Sequence, residues 1–313
     1  MTSAAPAIGQ SNSLKALLFM AGGVFGFSVL DAVTKLLTEG YGTWQIMVLS
    51  RICPILTAIF LAYRNRESSI GNPFKTGFTR THLGRAVLVV ATTWCFYECL
   101  RYLQLADAIA IAFAAPLFMT SLSGPLLGEK VGPRRWAAVL IGFVGVMVAL
   151  QPGRNGISWG AFLALAAALT YALGQLWLRP LSGKEKGHNI LFYSSLYSGL
   201  VGLIPAILEW REPSVTDWLL LLLQGSCSAG AQLCMIRAFK IGEASLLAPL
   251  EYTALLWATI FGYAFWGQLP AIQVLGGAGI IIASSLYIAH REVQQGRKRP
   301  ADVTVPESVP DPD

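Results

Sequence analysis

Ten stretches of the chain are apolar enough, and long enough, to cross a lipid bilayer. They run at roughly 14–37, 43–63, 84–103, 107–128, 134–151, 157–178, 189–208, 216–237, 243–266 and 271–289, set against the roughly 20 mainly apolar residues a helix needs to span a 30 Å hydrocarbon core. Inside that core each backbone polar group must find its partner within the span, so the expected fold is an all-α integral membrane protein of ten transmembrane helices. Pro116 and Pro125 in the fourth span and Pro249 in the ninth are expected to bend those helices.

The connecting segments test the count. With the N-terminus inside, 18 of the 23 Lys and Arg residues fall on the inner side. They are Lys15; Arg64, Arg66, Lys75, Arg80 and Arg85; Lys130, Arg134 and Arg135; Arg179, Lys184 and Lys186; Arg237 and Lys240; and Arg291, Arg297, Lys298 and Arg299. The outer side carries Lys35, Arg101, Arg154 and Arg211, and Arg51 lies within the second span. A missed or extra span would scramble this alternation, so the bias predicts an even number of spans and cytoplasmic termini. The same distribution argues against nucleic-acid binding, despite a net charge of +6: the basic residues sit in short loops, not on one stripe with interleaved aromatics. Only 13% of residues are charged, against about 25% in soluble domains, too few to cover a water-facing surface.

Lys15 precedes an apolar stretch, but Asp31 and Lys35 interrupt its far end and no clean cleavage site follows, so this stretch reads as a first span and not a cleaved signal. Cys53, Cys95, Cys99, Cys227 and Cys234 all lie in apolar runs and read as small buried residues, not a disulfide framework. Residues 292–313 turn polar and proline-rich and read as a disordered cytoplasmic tail.

The chain also repeats itself. RYLQLAD (Arg101 to Asp107) opens span four, and RAFKIGE (Arg237 to Glu243) opens span nine. Each leads into an Ala-rich helix with a proline, then a Gly followed by a polar side chain (Gly128-Glu129, Gly267-Gln268), a Pro (Pro133, Pro270) and a Gly-bearing span. Five spans per half is odd, so the second half enters the membrane from the opposite side. That is the inverted repeat of secondary transporters. The expected organisation is an N-terminal cytoplasmic tail at 1–13, repeats at 14–153 and 154–291, and the tail at 292–313.

These segments resemble the drug/metabolite transporter superfamily, in particular an EamA-type transporter with two tandem EamA domains. The likeness rests on FSVLDAVTKLL (Phe27 to Leu37), RYLQLADAIAIAFAAPLF (Arg101 to Phe118), LLGEKVGPRRWAAVLIGFVGVMVALQPG (Leu126 to Gly153) and SLLAPLEYTALLWATIFGYAFWGQLP (Ser245 to Pro270). One departure is Gln268, where the resemblance implies an acid matching Glu129. The resemblance implies a central substrate cavity, export of amino acids, drugs or metabolites, or in some relatives import of riboflavin or S-adenosylmethionine, and a bacterial inner-membrane location.

Charges inside a bilayer cost about 2.5–3.5 kcal/mol each on insertion scales and usually face a cavity or a partner. Asp31 and Lys35 are four residues apart on span one and share a face, as a switchable or a static pair. Arg51, in span two, offers a planar fork of donors for a carboxylate or phosphate, or an ion pair to Asp31 or Glu98. Glu98 and Arg101 can pair one turn apart in span three. Glu251, beside Pro249, has no basic neighbour in sequence and is the most isolated of these charges. Trp94, Tyr97, Tyr171, Trp177, Tyr252 and Trp257 could stack on a planar substrate or belong to packing and the interface belt. His82, His188 and His290 fall in expected cytoplasmic segments, so no metal site is expected within the membrane.

No GxxxxGK[ST] sequence supplies an ATP engine. The loops hold no cluster of acids, His or metal ligands for a membrane enzyme. The expected function is therefore secondary transport of a small metabolite by alternating access, with no cofactor. Coupling to protons, counter-substrate exchange and homodimer formation stay open. Efflux of an amino-acid-like, zwitterionic or anionic metabolite is the leading expectation. Import of a vitamin or cofactor such as riboflavin or S-adenosylmethionine is the alternative, and a structural membrane partner a lesser one.

Overall fold

The computed structural model describes residues 10–64, 76–128, 131–151, 158–178, 187–242 and 244–297. Glu129 and Glu243 of the repeat, the loop cations Arg66, Lys75, Lys130, Arg154, Arg179, Lys184 and Lys186, and the expected tail beyond Arg297 lie outside these residues.

All regular structure among the described residues is helical. The helices are α1 (Gln10–Thr38), α2 (Thr43–Ser50), α3 (Ile52–Arg64), α4 (Thr79–Cys99), α5 (Leu105–Ala112), α6 (Ala115–Leu127), α7 (Pro133–Leu150), α8 (Trp159–Leu178), α9 (Gly187–Leu208), α10 (Val215–Ile241), α11 (Ala244–Glu251), α12 (Thr253–Trp266) and α13 (Ile272–Arg297). Three pairs form single spans with a local break: α2–α3 at Arg51, α5–α6 at Phe113 and Ala114, and α11–α12 at Tyr252. The chain is thus an integral membrane protein, with ten helical rods among the described residues. Eight pass a length-and-composition test for crossing a bilayer. The other two are α4, which carries Arg80, Arg85 and Glu98, and the split span α11–α12.

Three boundaries differ from the sequence expectation. Span three begins at Thr79, which puts His82 on a helix instead of in a loop. His82 is buried and its ring packs 4.9 Å from that of Tyr193. A titratable first turn looks like a loop in sequence because its partners lie on another helix. The helix α13 continues to Arg297, past the point where the tail was expected to begin. Pro125 sits inside α6 with no break; the interruption of that span lies just before Pro116. Pro116 has no N–H to return to the preceding turn, which is a reason for the helix to open there.

The most extensive helix pairings cross between the two halves of the sequence. Span one (α1) packs on span eight (α10), and the equivalent shifted by five spans, span six (α8), packs on span three (α4). Span two packs on span seven, and span five (α7) on span ten (α13), each pair mapping onto itself under the same shift. Eight spans close a circuit in the order one, eight, two, seven, three, six, four, nine, and back to one. Spans five and ten pair outside it, against spans four and nine. The two halves therefore interlock.

Small residues let these helices approach. A Cβ on Gly23 would meet Met235 at 2.8 Å, and one on Gly26 would meet Ala231 at 3.1 Å, both on α10. Gly22 faces open space. The repeat is visible in the caps as well: Gly128 ends α6 at φ 70° and Gly267 ends α12 at φ 63°, left-handed conformations that glycine adopts without strain. Outside the circuit, Leu18, Leu140, Leu222 and Leu256 are exposed as a lipid-facing surface requires.

Candidate functional site

Polar side chains inside the circuit fall at three levels, and α4 contributes to each through Arg85, Thr93 and Glu98. At 1.5 Å per residue these levels are spread over about 20 Å.

The first level is an open-mouthed vestibule where α1 turns into α2. It has a volume of ≈ 560 Å³ and is walled by Trp44, Trp94, Trp210, Glu98, Arg101 and Arg211. The Trp44 and Trp94 rings lie 6.0 Å apart, tilted by 32°. Glu98 and Arg101 pair as their spacing predicts, with Nε 3.2 Å from Oε2. Glu98 also accepts from Thr43 Oγ1 at 2.5 Å, and Arg101 Nη2 donates to the Tyr41 carbonyl at 2.5 Å. Glu98 is thus held at the mouth, not in the depth of the membrane. A clasp joins this rim to the connection between spans seven and eight. Gln45 Nε2 donates to the Arg211 carbonyl (2.7 Å), the Arg211 amide returns to Gln45 Oε1 (3.0 Å), and Tyr41 donates to Asp217 (2.6 Å). That last bond holds the Tyr41 phenol above its ordinary pKa range.

Lys35 does not pair with Asp31. Its ammonium is buried and donates to the carbonyls of Leu100 (2.8 Å) and Leu103 (2.5 Å), with the Trp266 ring centroid 5.4 Å away. Leu100 caps α4, at the negative end of its dipole, and Leu103 lies in the connection to α5, so one buried cation satisfies a cap carbonyl and a loop carbonyl. Lys35→Met is therefore expected to lower the thermal unfolding midpoint in detergent, by an amount corresponding to roughly 1–3 kcal/mol for carbonyls left buried and unsatisfied. An unchanged midpoint would show that these bonds contribute nothing.

The second level centres on Arg51, at the break between α2 and α3. Its Nη2 donates to Thr93 Oγ1 at 2.8 Å. Among the described residues no carboxylate lies within ion-pair distance, so neither pairing expected for it, with Asp31 or Glu98, is formed. Tyr97 is buried within electrostatic reach of both Arg51 and Asp31, and its hydroxyl accepts from Gln224 Nε2 at 3.4 Å. Gln224 also donates to Thr34 Oγ1 at 2.6 Å, tying α10 to α1.

The third level lies toward the opposite end. Arg85 Nη1 donates to Ser194 Oγ on α9. Tyr171 stands within electrostatic reach of Arg85 and Glu251. Glu251 is exposed and, among the described residues, has no hydrogen bond or ion pair. Next to it, the break residues of the two repeats meet: the Tyr252 ring packs edge-on against Phe113, centroids 5.0 Å apart at 78°. The backbone at both breaks stays bonded through tightened turns, with the Ala114 N–H donating to the Ile111 carbonyl at 2.9 Å and the Leu255 N–H to the Tyr252 carbonyl at 3.2 Å.

The structure brings Glu98, Arg101 and Trp94 together in the vestibule, sets Arg51, Tyr97 and Asp31 beneath them, and places Glu251 and Tyr252 at the third level. Sequence reasoning missed Arg85 and Thr93. Arg85 falls at the start of the expected third span and was counted only among the inner-side cations, and Thr93 carries no charge to betray it. Among the described residues no group of three His, Cys, Asp or Glu side chains could hold a metal ion, and all five cysteines are free.

This arrangement of a split-helix circuit with a polar interior agrees with a comparison to known families. The EamA-like transporter family matches residues 14–151 and again 158–289. The chain belongs to that family. As an EamA-like protein it is a multi-pass membrane transporter of a small metabolite, not an enzyme. It is 29% identical to a riboflavin transporter of Rhizobium johnstonii, covering 93% of this chain and 96% of that protein. It is 29% identical to an S-adenosylmethionine uptake transporter of Rickettsia prowazekii, over 71% of this chain and 75% of that one. It is 26% identical to the pseudopaline exporter CntI of Pseudomonas aeruginosa, over 83% and 90% respectively.

Proposed function

We propose that this EamA-like protein carries a planar, ring-bearing metabolite of the riboflavin class, and carries it inward. The observation that carries the reading is the end-to-end likeness to a riboflavin transporter. The site chemistry fits it. A flavin-like ring offers a flat apolar face and an edge of alternating carbonyl and imide N–H groups. The tryptophans of the vestibule suit the face, each aromatic contact adding about 0.5–1.5 kcal/mol beyond area burial. The donors of Arg51 suit ring carbonyls, and the Asp31 carboxylate suits the imide. The bias of basic residues supports a vestibule on the outer side and termini in the cytoplasm, so ligand would enter at Trp44 and Trp94.

The leading sequence expectation, efflux of an amino-acid-like metabolite, keeps one specific support. Arg51 and Glu251 are opposite charges with no ion-pair partner among the described residues, which suits the two ends of a zwitterion, and one relative is an exporter.

The deciding experiment is flux into proteoliposomes of known orientation, with labelled riboflavin, S-adenosylmethionine and a panel of amino acids, with and without a pH gradient. Saturable riboflavin uptake from the vestibule side, with a KM raised roughly threefold to tenfold by Trp94→Ala for the loss of one aromatic contact, is the expected result. Flux of amino acids alone, driven toward the vestibule side, would replace the import reading with efflux.

A further inference from the structure

The charged side chains that wall the vestibule are Glu39, Glu98, Glu209, Arg101 and Arg211. Most are engaged. Glu39 accepts from Trp266 Nε1 at 2.7 Å, Glu98 and Arg101 pair, and Arg211 Nη1 donates to the Gly40 carbonyl at 3.1 Å. The carboxylate of Glu209 has no hydrogen bond or ion pair among the described residues. Its position calls for a reason. Glu209 directly follows α9, whose last turn is the negative pole of that helix and disfavours an anion. The side chain turns instead over Gly42, which caps the start of α2, the positive pole of that helix. A Cβ on Gly42 would stand 2.6 Å from Glu209 Oε2 and 3.3 Å from its Cβ, so the missing side chain makes the room that the carboxylate occupies. Gln45 fixes the connection that carries Glu209 by bonding both the carbonyl and the amide of Arg211. The carboxylate is thereby held in the same cavity as Trp44, Trp94 and Trp210, with its oxygens left to meet what enters.

We propose that Glu209 is the specificity-determining charge of the vestibule: it accepts the hydroxyls of an uncharged ligand and excludes the phosphate ester of the same ring compound. With a riboflavin-class ring seated on Arg51 and Asp31, the hydroxylated chain trails at the mouth. A carboxylate there is an acceptor for hydroxyl donors. A phosphate at the end of that chain brings close to two negative charges to the same place. At about 6 Å in water-like surroundings this repulsion lowers affinity roughly tenfold. The arginines do not reverse the sign, because the wall carries three acids against two cations. The choice between alcohol and ester rests on the riboflavin-class reading; the exclusion of anions from the vestibule does not.

The test has one arm that needs no substrate and one that does, both on the full-length protein. In the first, tryptophan fluorescence in neutral detergent is quenched with iodide, caesium or acrylamide. Glu209→Gln should raise iodide quenching of the accessible fraction roughly twofold, lower caesium quenching, and leave acrylamide unchanged. Gly42→Ala, whose methyl displaces the carboxylate without removing it, should move the same readouts in the same direction. In the second arm, uptake of labelled riboflavin into proteoliposomes is competed with riboflavin or riboflavin 5′-phosphate. Wild type should need roughly ten times more of the ester, and Glu209→Gln should close most of that gap. Iodide quenching that is equal in wild type and both variants overturns the proposal, because Glu209 is then a solvated rim charge. Riboflavin uptake with an unchanged gap in Glu209→Gln overturns it too, and leaves the riboflavin reading standing. A shift in quenching with no riboflavin uptake does the reverse: it removes that reading and keeps Glu209 as the charge that excludes anions.

Discussion

Arg51→Gln is expected to reduce substrate flux roughly 10- to 100-fold while leaving the unfolding midpoint nearly unchanged, in keeping with the about 1.5–3 kcal/mol of a hydrogen bond to a charged group. The reasoning starts from cost. A guanidinium inside a bilayer is retained only where something offsets its desolvation. Every other intramembrane cation of the sequence analysis has a protein acceptor: Lys35 has two carbonyls, and Arg101 has Glu98 and the Tyr41 carbonyl. Arg51 has one neutral hydroxyl, Thr93, and its Nε is buried without an acceptor among the described residues. It also stands at a break in its helix, next to the interior, where a substrate could complete its shell. Arg51→Lys keeps the charge and loses the fork, so it should fall between wild type and glutamine. Flux and substrate Kd should be measured on the same preparation together with thermal unfolding. A variant that transports normally removes Arg51 from the site. A variant that loses its fold in proportion to its flux makes Arg51 a structural residue.

What could be read from the sequence follows the range of the interaction. The spans were legible because apolar runs of bilayer length have few other uses, and because the cations of the connecting segments alternate. Glu98–Arg101 was legible because both partners lie one turn apart on one helix. Lys35 was misread for a related reason. Spacing shows that it shares a face with Asp31, but its actual acceptors are backbone carbonyls 65 and 68 residues away, which have no sequence signature. The partner of Arg51 lies on span three, and Arg85 reaches Ser194 on span seven. Such pairings are fixed by the order of spans around the circuit, and an amphipathic pattern does not reveal that order. The break at Arg51 was hidden because that residue is neither proline nor glycine, whereas the bend expected from Pro249 in span nine falls just after it, at Tyr252. The repeat was legible in the glycines of its caps, Gly128 and Gly267, where backbone geometry restricts the choice of residue.

Gly277→Ala is expected to be the most damaging Gly→Ala change among the described glycines. A Cβ there would stand 2.6 Å from the Gly145 carbonyl oxygen, 2.6 Å from the Ala149 amide nitrogen and 2.7 Å from the Ala149 Cβ. None of these is the free end of a flexible side chain, so α7 and α13 would have to separate along their contact. Overpacking of this kind costs about 1–3 kcal/mol even where side chains can yield, and the rigid backbone puts this case at the upper end or beyond. The controls lie on the same helix. A Cβ on Gly276 or Gly279 would meet nothing within 4 Å. Gly276→Ala and Gly279→Ala should be neutral or stabilise by up to about 1 kcal/mol through helix propensity. Thermal unfolding in detergent reads all three. Because spans five and ten pair outside the circuit, folded Gly277→Ala protein should keep its substrate KM while losing thermal stability and yield. A large change in KM at unchanged stability would mean that this pair takes part in the transport motion itself. Equal midpoints for all three variants would mean that the helices do not approach as closely as the glycines require.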